Sequence, residues 1–568
     1  MKFSEFTYKR PNMEQLQEEF KQKLESFEHA ASFNEQDEVM AELVSIRNHF
    51  ETMQNIVHIR YTSNTEDPFY KEEHDFMDEN TPVYQGMVSE FFQAIVHSKY
   101  RKELESKWGK HLFNLADAEL KTYLPEVVED LKLENKLKSQ YVKLLSSAKI
   151  DFQGEKRTLA QLIPFTQSPD RAIRKQAVEA QFGFFNDHKE ELDRQYDELV
   201  KLRTSIAKKL GFPSFVELAY NRLNRTDYDK NMVKKFRDQV KEHIVPFCTS
   251  LREKQKARIG VDSLKFYDES FSFPQGNPKP KGDADWIVEQ GAKIFKELSP
   301  ETDEFYTFMV ENELLDLIAK EGKAPGGYCT YISEYQSPFI FTNFNGSQGD
   351  IRVLLHEAGH AFQVYTSRGY EVPEYQFPTL EACEIHSMSM ELITYPWMEQ
   401  FFGEDTERYL YDHLAAAVKF IPYGVAVDEF QHFVYENPDT SPNERKQEWR
   451  RLEEKYLPHR DFDGIEFLEE GGFWQMQTHI YRTPFYYIDY TLAQVCALQF
   501  WKRSRENHKA AWQDYLELCG RGGSLPFTEL VNIAGLVSPF EEGCVKSVMD
   551  EVGKWEAQID DTKFLQKA

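Results

Sequence analysis

Residues 351–365 have the sequence IRVLLHEAGHAFQVY, in which His356 and His360 stand four positions apart. Apolar residues flank them at helical spacing, so the segment is predicted to be a helix. Positions i and i+4 share one face of a helix, and both imidazoles can therefore reach one ion. Zinc binds imidazole and carboxylate ligands, and a catalytic zinc site uses three protein ligands and leaves a fourth position for water. Glu357 projects from a neighbouring angle and is predicted to take a proton from that water as a general base.

Gly359 lies inside this predicted helix, where glycine costs about 1 kcal/mol relative to alanine. That cost is easiest to explain if a second backbone packs closely against the helix at this position. The residues that precede His356, namely Val353, Leu354 and Leu355, begin an apolar face. The helix is therefore predicted to be packed against its neighbours.

A third ligand is predicted in residues 379–395, TLEACEIHSMSMELITY. Glu384 and Glu391 are seven residues apart, which is two helical turns, so they share a face. Glu384, 24 residues after His360, is the predicted ligand. Glu391 and Glu381 are candidates to accept the outer N–H of a ligating histidine. His386 lies two residues from Glu384, on a different side of the helix, and is not expected to bind the metal.

The composition is that of a globular protein with more than one packed lobe. The chain has 568 residues, of which 41% are hydrophobic and 29% are charged, and this length exceeds what one compact core holds. The net charge of -27 argues against binding to nucleic acid or to an anionic membrane surface, because a phosphate backbone needs a basic footprint.

Several features predict a cytoplasmic location. The opening MKFSEFTYKRPNMEQ contains no apolar segment of the kind found in signal peptides, and no apolar run reaches 18 residues. The six cysteines are single and widely spaced, which is typical of reduced thiols. We therefore expect neither export nor a membrane anchor.

Hydrophobic periodicity predicts a mainly α-helical chain. The first two hundred residues carry apolar positions every three or four residues, as in EQLQEEFKQKLESFEHA. Residues 259–285 are rich in Pro, Gly and Asp and predict a loop or short hairpin. Residues 324–350, rich in aromatics, Thr and Ile, predict one or two strands immediately before the histidine helix.

The chain resembles the thimet-oligopeptidase and neurolysin peptidases, and within them the oligoendopeptidase F branch. The family pattern E-x-x-S-x-x-x-E, whose first Glu is the third zinc ligand, is matched by Glu384, Ser387 and Glu391. His386 stands where the family often has Pro. Two further segments follow in family order, APGGYCTYISEYQSPFIFTNF before the motif and GGFWQMQTHIYRTPFYYIDYTLAQV after it.

The last of these segments resembles the region of the family that supplies a histidine and a tyrosine to the substrate and the developing oxyanion. The resemblance assigns the histidine to His479. Among the tyrosines, the YIDY spacing favours Tyr490 as oxyanion donor and Tyr487 as a substrate contact, and Tyr486 remains an alternative.

The resemblance implies a neurolysin-like zincin, a two-lobed helical ellipsoid with a deep substrate channel and a small β-sheet beside the zinc helix. We predict a helical lobe over residues 1–205 and a catalytic lobe over 206–568, with one Zn²⁺ per chain. The implied activity is that of an endopeptidase acting on short peptides. A carboxypeptidase or dipeptidyl carboxypeptidase on the same scaffold is the alternative, and a non-catalytic helical binding scaffold with structural zinc is a rival from another class.

Overall fold

The prediction of a mainly α-helical chain is confirmed by the computed structural model, which describes residues 1–565. Helices make up 71% of the chain, and the described part contains 24 α-helices and five β-strands. The last three residues of the predicted catalytic lobe, 566–568, lie outside the described residues. None of the described helices combines the length and the apolar character needed to cross a lipid bilayer.

The first two hundred residues form nine helices and one short antiparallel hairpin, which was not predicted. The helices are α1 Met13–His29, α2 Phe33–Ser63, α3 Pro68–Val96, α4 Arg101–Trp108, α5 Lys110–Leu120, α6 Val128–Ser146, α7 Leu159–Thr166, α8 Arg171–Asp187 and α9 Lys189–Lys209. The hairpin strands are β1 Ile150–Phe152 and β2 Glu155–Arg157. Residue 205, where the predicted N-terminal lobe ends, lies inside α9.

The middle of the chain contains five helices followed by three strands. The helices are α10 Phe215–Arg222, α11 Lys230–His243, α12 Val245–Ile259, α13 Ala284–Leu298 and α14 Pro300–Glu311. Between α12 and α13, residues 259–285 form a loop with one 3₁₀ turn, Phe266–Asp268. Asp268 is fully buried there and accepts hydrogen bonds from Arg171 and Arg174, so the polar loop is anchored to α8.

The predicted strands before the histidine helix are confirmed, together with one strand that was not predicted. They are β3 Leu315–Ile318, β4 Tyr328–Ile332 and β5 Ser337–Phe344, in the order β3-β5-β4. The central strand β5 runs parallel to β3 and antiparallel to β4, and most of its residues are buried. The chain leaves β5 through a turn whose backbone N–H groups, from Asn345 and Gly346, donate to the Asp350 carboxylate. This turn fixes the start of the next helix beside the sheet.

The remaining residues are again mainly helical. The helices are α15 Gln348–Thr366, α16 Leu380–Ile393, α17 Glu399–Phe402, α18 Thr406–Glu436, α19 Pro442–Tyr456, α20 Glu466–Glu469, α21 Thr478–Arg482, α22 Tyr487–Arg521, α23 Phe527–Ile533 and α24 Cys544–Glu556. Helix α16 packs against both α15 and α22. The helix that carries the two histidines is thus enclosed by the sheet on one side and by α16 on another.

The close backbone contact predicted at Gly359 is confirmed. A Cβ added to this residue would lie 2.6 Å from the carbonyl oxygen of His386 and 2.7 Å from Cα of Ser387. Only a residue without a side chain lets α15 and α16 approach so closely. This contact brings the two predicted ligand helices into register with each other.

Candidate metal centre and active site

The structure brings the three predicted metal ligands together. His356 and His360 extend from one face of α15, and Glu384 faces them from α16. Oε2 of Glu384 lies 3.3 Å from Nε2 of His356 and 3.7 Å from Nε2 of His360. One ligand atom from each residue lies within 4.8 Å of the other two. The side chains of all three are at most a quarter exposed, so the centre is shielded from much of the solvent.

These separations fit a zinc ion. Zinc ligand bonds of about 2.1 Å in tetrahedral geometry place neighbouring ligand atoms roughly 3.4 Å apart. The two distances from Glu384 to the histidines, 3.3 and 3.7 Å, bracket that value. Two imidazoles and one carboxylate are also the donor set of catalytic zinc sites that keep one position for water. The residues present therefore fit the metal that the sequence predicts.

Electrostatics at the centre favour a bound cation. Burial would keep Glu384 neutral, yet the hydrogen bond from His356 and the positive charge of the two imidazole rings in their protonated forms lower its pKa to about 2. Burial lowers the pKa of His360 to about 4, so this ring is neutral and has a lone pair for a metal at neutral pH. Burial also disfavours the charged form of His356, but the carboxylates of Glu384 and Glu391 raise its pKa well above the usual value. The same carboxylates attract any cation at this position.

Glu357 lies beside the three ligands without contacting them through a hydrogen bond. It is buried on α15, and a Cβ added to Gly327 at the start of β4 would lie 3.7 Å from its Oε1. Burial and the nearby carboxylates of Glu384 and Glu391 raise the pKa of Glu357 to about 7, although His356 opposes this shift. No group within residues 1–565 donates a hydrogen bond to its carboxylate, which leaves the oxygens available to a substrate or a water molecule.

A chain of three hydrogen bonds supports His356 from behind. Its Nδ1 lies 2.7 Å from Oε1 of Glu391, and Oε2 of Glu391 lies 2.7 Å from Nε2 of His413 on α18. The hydroxyl of Tyr395 lies 2.7 Å from Nδ1 of His413. The carboxylate fixes the ring orientation of His356 and directs its Nε2 towards the other ligands. His413 on α18 and Tyr395, four residues after Glu391, were not predicted, because no local pattern in the sequence connects either residue to the histidine helix.

The second candidate for this supporting role, Glu381, is placed elsewhere. Its fully buried side chain interacts with Arg225, and burial raises its pKa to about 7. His386, which was not expected to bind the metal, points away from the centre, and its Nδ1 lies 2.7 Å from the carbonyl oxygen of Ala382. The helical-face reasoning did not distinguish Glu381 from Glu391 as the partner of a ligating histidine.

Glu384 is held by two hydroxyl groups. Oγ of Ser387 donates to its Oε2 at 2.9 Å, and the hydroxyl of Tyr486 donates to its Oε1 at 3.3 Å. The serine of the family pattern therefore has a physical reason, since it orients the carboxylate from one turn away. Tyr486, which the sequence left as an alternative oxyanion donor, is already occupied by Glu384.

His479 and the three tyrosines form one cluster beside the centre. The ring centroid of His479 lies 5.5 Å from that of Tyr486, 5.0 Å from that of Tyr487 and 5.8 Å from that of Tyr490. Burial and the negative charges of Glu384, Asp489 and Glu357 raise the pKa of Tyr490 to about 12. At neutral pH its hydroxyl therefore keeps its proton and is a hydrogen-bond donor.

The orientation of His479 is fixed by an amide. Nε2 of Gln477 lies 2.7 Å from Nδ1 of His479, and Oε1 of Gln477 accepts a hydrogen bond from the hydroxyl of Tyr423 at 2.9 Å. With Nδ1 acting as acceptor, the neutral ring carries its proton on Nε2. Burial lowers the pKa of His479, which favours this neutral form.

The segment that carries these donors is anchored by two buried arginines. The guanidinium of Arg203 donates to the carbonyl oxygen of Tyr481. That of Arg225 donates at 2.6 Å both to the carbonyl oxygen of Phe485 and to the carboxylate of Asp489. Close packing also restricts the loop before this segment, since a Cβ added to Gly471 would lie 2.2 Å from the carbonyl oxygen of Lys446. The glycine serves close packing, and the donor segment is held in place.

All six cysteines are free thiols, and four of them are buried. Together, the helical fold, the two histidines and one glutamate around a common cation position, and the adjacent free carboxylate define the chain as a metallopeptidase.

Comparisons with known proteins support this class. The sequence matches the peptidase M3 N-terminal domain over residues 3–123 and peptidase family M3 over 164–282 and 293–550. Because the second match covers more than half of the chain, the chain belongs to peptidase family M3. The oligoendopeptidase F branch of the resemblance is supported by the relatives described next.

Two relatives and one solved structure are similar over most of this chain. Oligopeptidase PepF of Bacillus subtilis (strain 168) is 22% identical over 408 residues, which are 68% of this chain and 58% of that protein. An oligoendopeptidase F homologue of Borreliella burgdorferi is 26% identical over 387 residues, 66% of this chain and 63% of that protein. The chain thus spans less than two thirds of the length of these two relatives. The structure of PZ peptidase A, solved with an inhibitor, is similar to this chain with a TM-score of 0.93 and 63% sequence identity. The aligned region covers 99% of this chain and 100% of the PZ peptidase A chain.

Proposed function

We propose that the chain is a zinc-dependent endopeptidase that hydrolyses short peptides. In this proposal His356, His360 and Glu384 hold one zinc ion, and Glu357 is the general base. The observation that carries it is that these four neighbouring side chains fall into two groups, three suited to bind a metal ion and one suited to accept a proton. Three offer ligand atoms within 4.8 Å of one another, and the fourth presents a carboxylate that the described residues leave without a hydrogen-bond donor.

The mechanism follows from that division. A zinc ion held by the three ligands supplies Lewis acidity to the scissile carbonyl and lowers the pKa of a water molecule. Glu357 takes the proton from that water as the oxygen attacks the carbonyl carbon. The same carboxyl group then delivers the proton to the nitrogen of the leaving amine. Its raised pKa of about 7 reflects the buried, acidic surroundings in which it exchanges this proton.

The donor cluster provides the second half of the mechanism. Tyr490 donates a hydrogen bond to the carbonyl oxygen as negative charge develops there, and Nε2–H of His479 is available for the same purpose. Each such donor is worth roughly 3 kcal/mol in hydrolases. Tyr487, whose ring lies 5.0 Å from that of His479, contacts the substrate.

Oligopeptides are the substrate class that the family supports. The similar proteins carry the names oligopeptidase and oligoendopeptidase, and we extend that class to this chain. We place the substrate in a deep channel between lobes formed by residues 1–205 and 206–568, which admits flexible peptides and excludes folded proteins. The net charge of -27 disfavours nucleic acid and anionic membranes as partners, and we assign the chain to the cytoplasm.

The test is Glu357→Gln, measured for zinc content and for hydrolysis of an internally quenched peptide that is blocked at both ends. The amide keeps the volume of the side chain but cannot accept the proton, so zinc should be retained and kcat should fall by about 10²- to 10⁴-fold. The matched control is Glu38→Gln, at an exposed position on α2, which should leave kcat unchanged. Parental turnover in Glu357→Gln would show that the base is wrongly assigned.

The same peptide separates the alternatives. Chelator should abolish hydrolysis by the parent protein, and zinc should restore it. Cuts inside the blocked peptide support the endopeptidase, whereas hydrolysis only of peptides with a free C-terminus would support the carboxypeptidase alternative. Zinc bound without any hydrolysis would support the structural-zinc scaffold.

A further inference from the structure

One buried side chain outside the metal centre contacts the donor cluster at two points along the chain. Nη2 of Arg225 donates at 2.6 Å to the carbonyl oxygen of Phe485 and at 2.6 Å to Oδ1 of Asp489. Phe485 immediately precedes Tyr486, and Asp489 immediately precedes Tyr490. The start of α22, which carries all three tyrosines, therefore lies between two contacts made by a single guanidinium.

The backbone of Phe485 has a conformation that needs support from its surroundings. Its φ is +68°, in the left-handed region, which is costly for a residue with a bulky side chain. Its N–H donates to Oε1 of Gln431 on α18 at 2.9 Å, and its carbonyl oxygen accepts the hydrogen bond from Arg225. Its ring is fully buried. Removing one of the two hydrogen bonds should let this backbone relax, which turns the tyrosines that follow it.

The guanidinium of Arg225 is itself fixed in place. The side chain is fully buried, and the central carbon of the guanidinium lies 4.5 Å from the ring centroid of Tyr220. The carboxylates of Asp489 and Glu381 provide compensating negative charge. A lysine ammonium is a compact point charge without the planar, pre-organised fork of a guanidinium. Lysine at this position therefore keeps the charge but not both contacts.

We propose that Arg225 is a positioning residue for peptide hydrolysis, which sets the position of the Tyr490 hydroxyl by holding the chain on both sides of the first turn of α22. The inference rests on the proposed function, in which Tyr490 donates to the developing oxyanion. Arg225 contacts neither the proposed zinc ligands nor the substrate. Its effect is nevertheless large, because a misplacement of about 1 Å in a catalytic group can cost about 10²-fold in rate.

The first test is Arg225→Lys, measured for zinc content, kcat and KM with the internally quenched peptide. We expect kcat to fall by about 10²-fold with zinc retained and little change in KM, because the hydroxyl acts mainly in the transition state. The matched control is Arg258→Lys. Arg258 is also buried and donates to a backbone carbonyl and a carboxylate, those of Ser272 and Asp561. This control should lose stability but keep the parental kcat.

A double-mutant cycle with Tyr490→Phe separates positioning from general damage. If Arg225 acts through the Tyr490 hydroxyl, then Arg225→Lys should change kcat by no more than about twofold once that hydroxyl is absent. A loss of about 10²-fold in both backgrounds would overturn the proposal. Equal kcat values for Arg225→Lys and Arg258→Lys would also overturn it.

A second measurement does not depend on turnover. A fluorotyrosine placed at position 490 reports the surroundings of that ring by fluorine NMR. Its resonance should be unchanged in Arg258→Lys and should shift or broaden in Arg225→Lys. Gln431→Met, which removes the acceptor for the N–H of Phe485 and leaves Arg225 in place, should have a similar effect. This variant keeps the proposal testable if Arg225→Lys does not fold.

The fluorine measurement also separates the inference from the proposed function. A resonance that stays unchanged in Arg225→Lys and in Gln431→Met would overturn the role of Arg225. If the resonance changes as expected but the parent protein hydrolyses no peptide, the contact between Arg225 and the Tyr490 segment is established, and the result counts against the proposed function alone.

Discussion

Replacing Gly359 with alanine is expected to push apart the two helices that carry the proposed zinc ligands. The new Cβ would lie 2.6 Å from the carbonyl oxygen of His386, whereas ordinary van der Waals contact begins at 3.4 Å. The helices must therefore separate by up to 0.8 Å at this point, the difference between 3.4 and 2.6 Å. His360 follows Gly359 directly on α15, and Glu384 lies two residues before His386 on α16. The distance between these two ligands should therefore increase by much of the separation between the helices.

Two opposing contributions set the magnitude. Overpacking of this kind lowers the free energy of unfolding by about 1–3 kcal/mol. The higher helix propensity of alanine relative to glycine raises it by about 1 kcal/mol. The net effect on unfolding is therefore between zero and about 2 kcal/mol of destabilisation. Zinc affinity should respond more sharply, because ligand distances tolerate only about 0.2 Å of error. We expect a loss of about tenfold or more, as for mutations that disturb ligand orientation.

Gly183 offers a matched control. It lies within α8, and no atom is found within 4 Å of the position of an added Cβ, so Gly183→Ala should gain helix propensity without a clash. Both variants are compared with the parent by urea unfolding and by competition for zinc with a chelator. If Gly359→Ala matched Gly183→Ala in stability and in zinc affinity, the contact between α15 and α16 would not be the reason for the glycine.

Five further substitutions, in three groups, have expected outcomes. His413→Gln should lower zinc affinity by about ten- to a hundredfold in chelator competition. Tyr395→Phe should have a smaller effect, because it removes only the outermost hydroxyl of the chain of hydrogen bonds. Unchanged zinc affinity in both variants would show that this chain does not support metal binding. Tyr490→Phe should reduce kcat by about 10²-fold or more with zinc retained, and Tyr487→Phe should mainly raise KM; the reverse pattern would exchange their roles. Burial lowers the pKa of His111 to about 4, so between about pH 6.5 and 4 the unfolded chain binds a proton there that the folded chain does not, and the free energy of unfolding falls as pH falls. His111→Gln should reduce this loss of stability in urea titrations across that range. An identical pH dependence in the variant and the parent would refute the assignment.

The parts of the site that follow a short helical period were predictable from the sequence. The four-residue step between the histidines and the seven-residue step from Glu384 to Glu391 each define a helix face, and the structure shows these side chains on the expected sides. Gly359 was informative for a similar reason, because a glycine within a helix indicates a close neighbour. Each of these inferences depends only on residues within one or two turns of a single element.

The parts that depend on contacts between distant elements were not predictable. His413 reaches Glu391 from α18, and no local pattern distinguishes it from other histidines in the chain. The strand β3 has four residues and acquires its partner only when β5 is placed beside it. The tyrosines 486, 487 and 490 differ in their neighbours rather than in their spacing, and only the hydrogen bond from Tyr486 to Glu384 separates the first from the others.

The buried guanidinium of Arg203 has a consequence for any attempt to divide the molecule. It comes from α9, within the first 205 residues, yet it donates to the backbone carbonyl oxygen of Tyr481, two residues after His479. A fragment that began at residue 206 would contain every proposed ligand and donor but would lack this cation. Its carbonyl groups would face a void instead of a charge, and the histidine would lose its fixed position. Cleavage of the backbone near residue 205 should therefore be tolerated only while both pieces stay together.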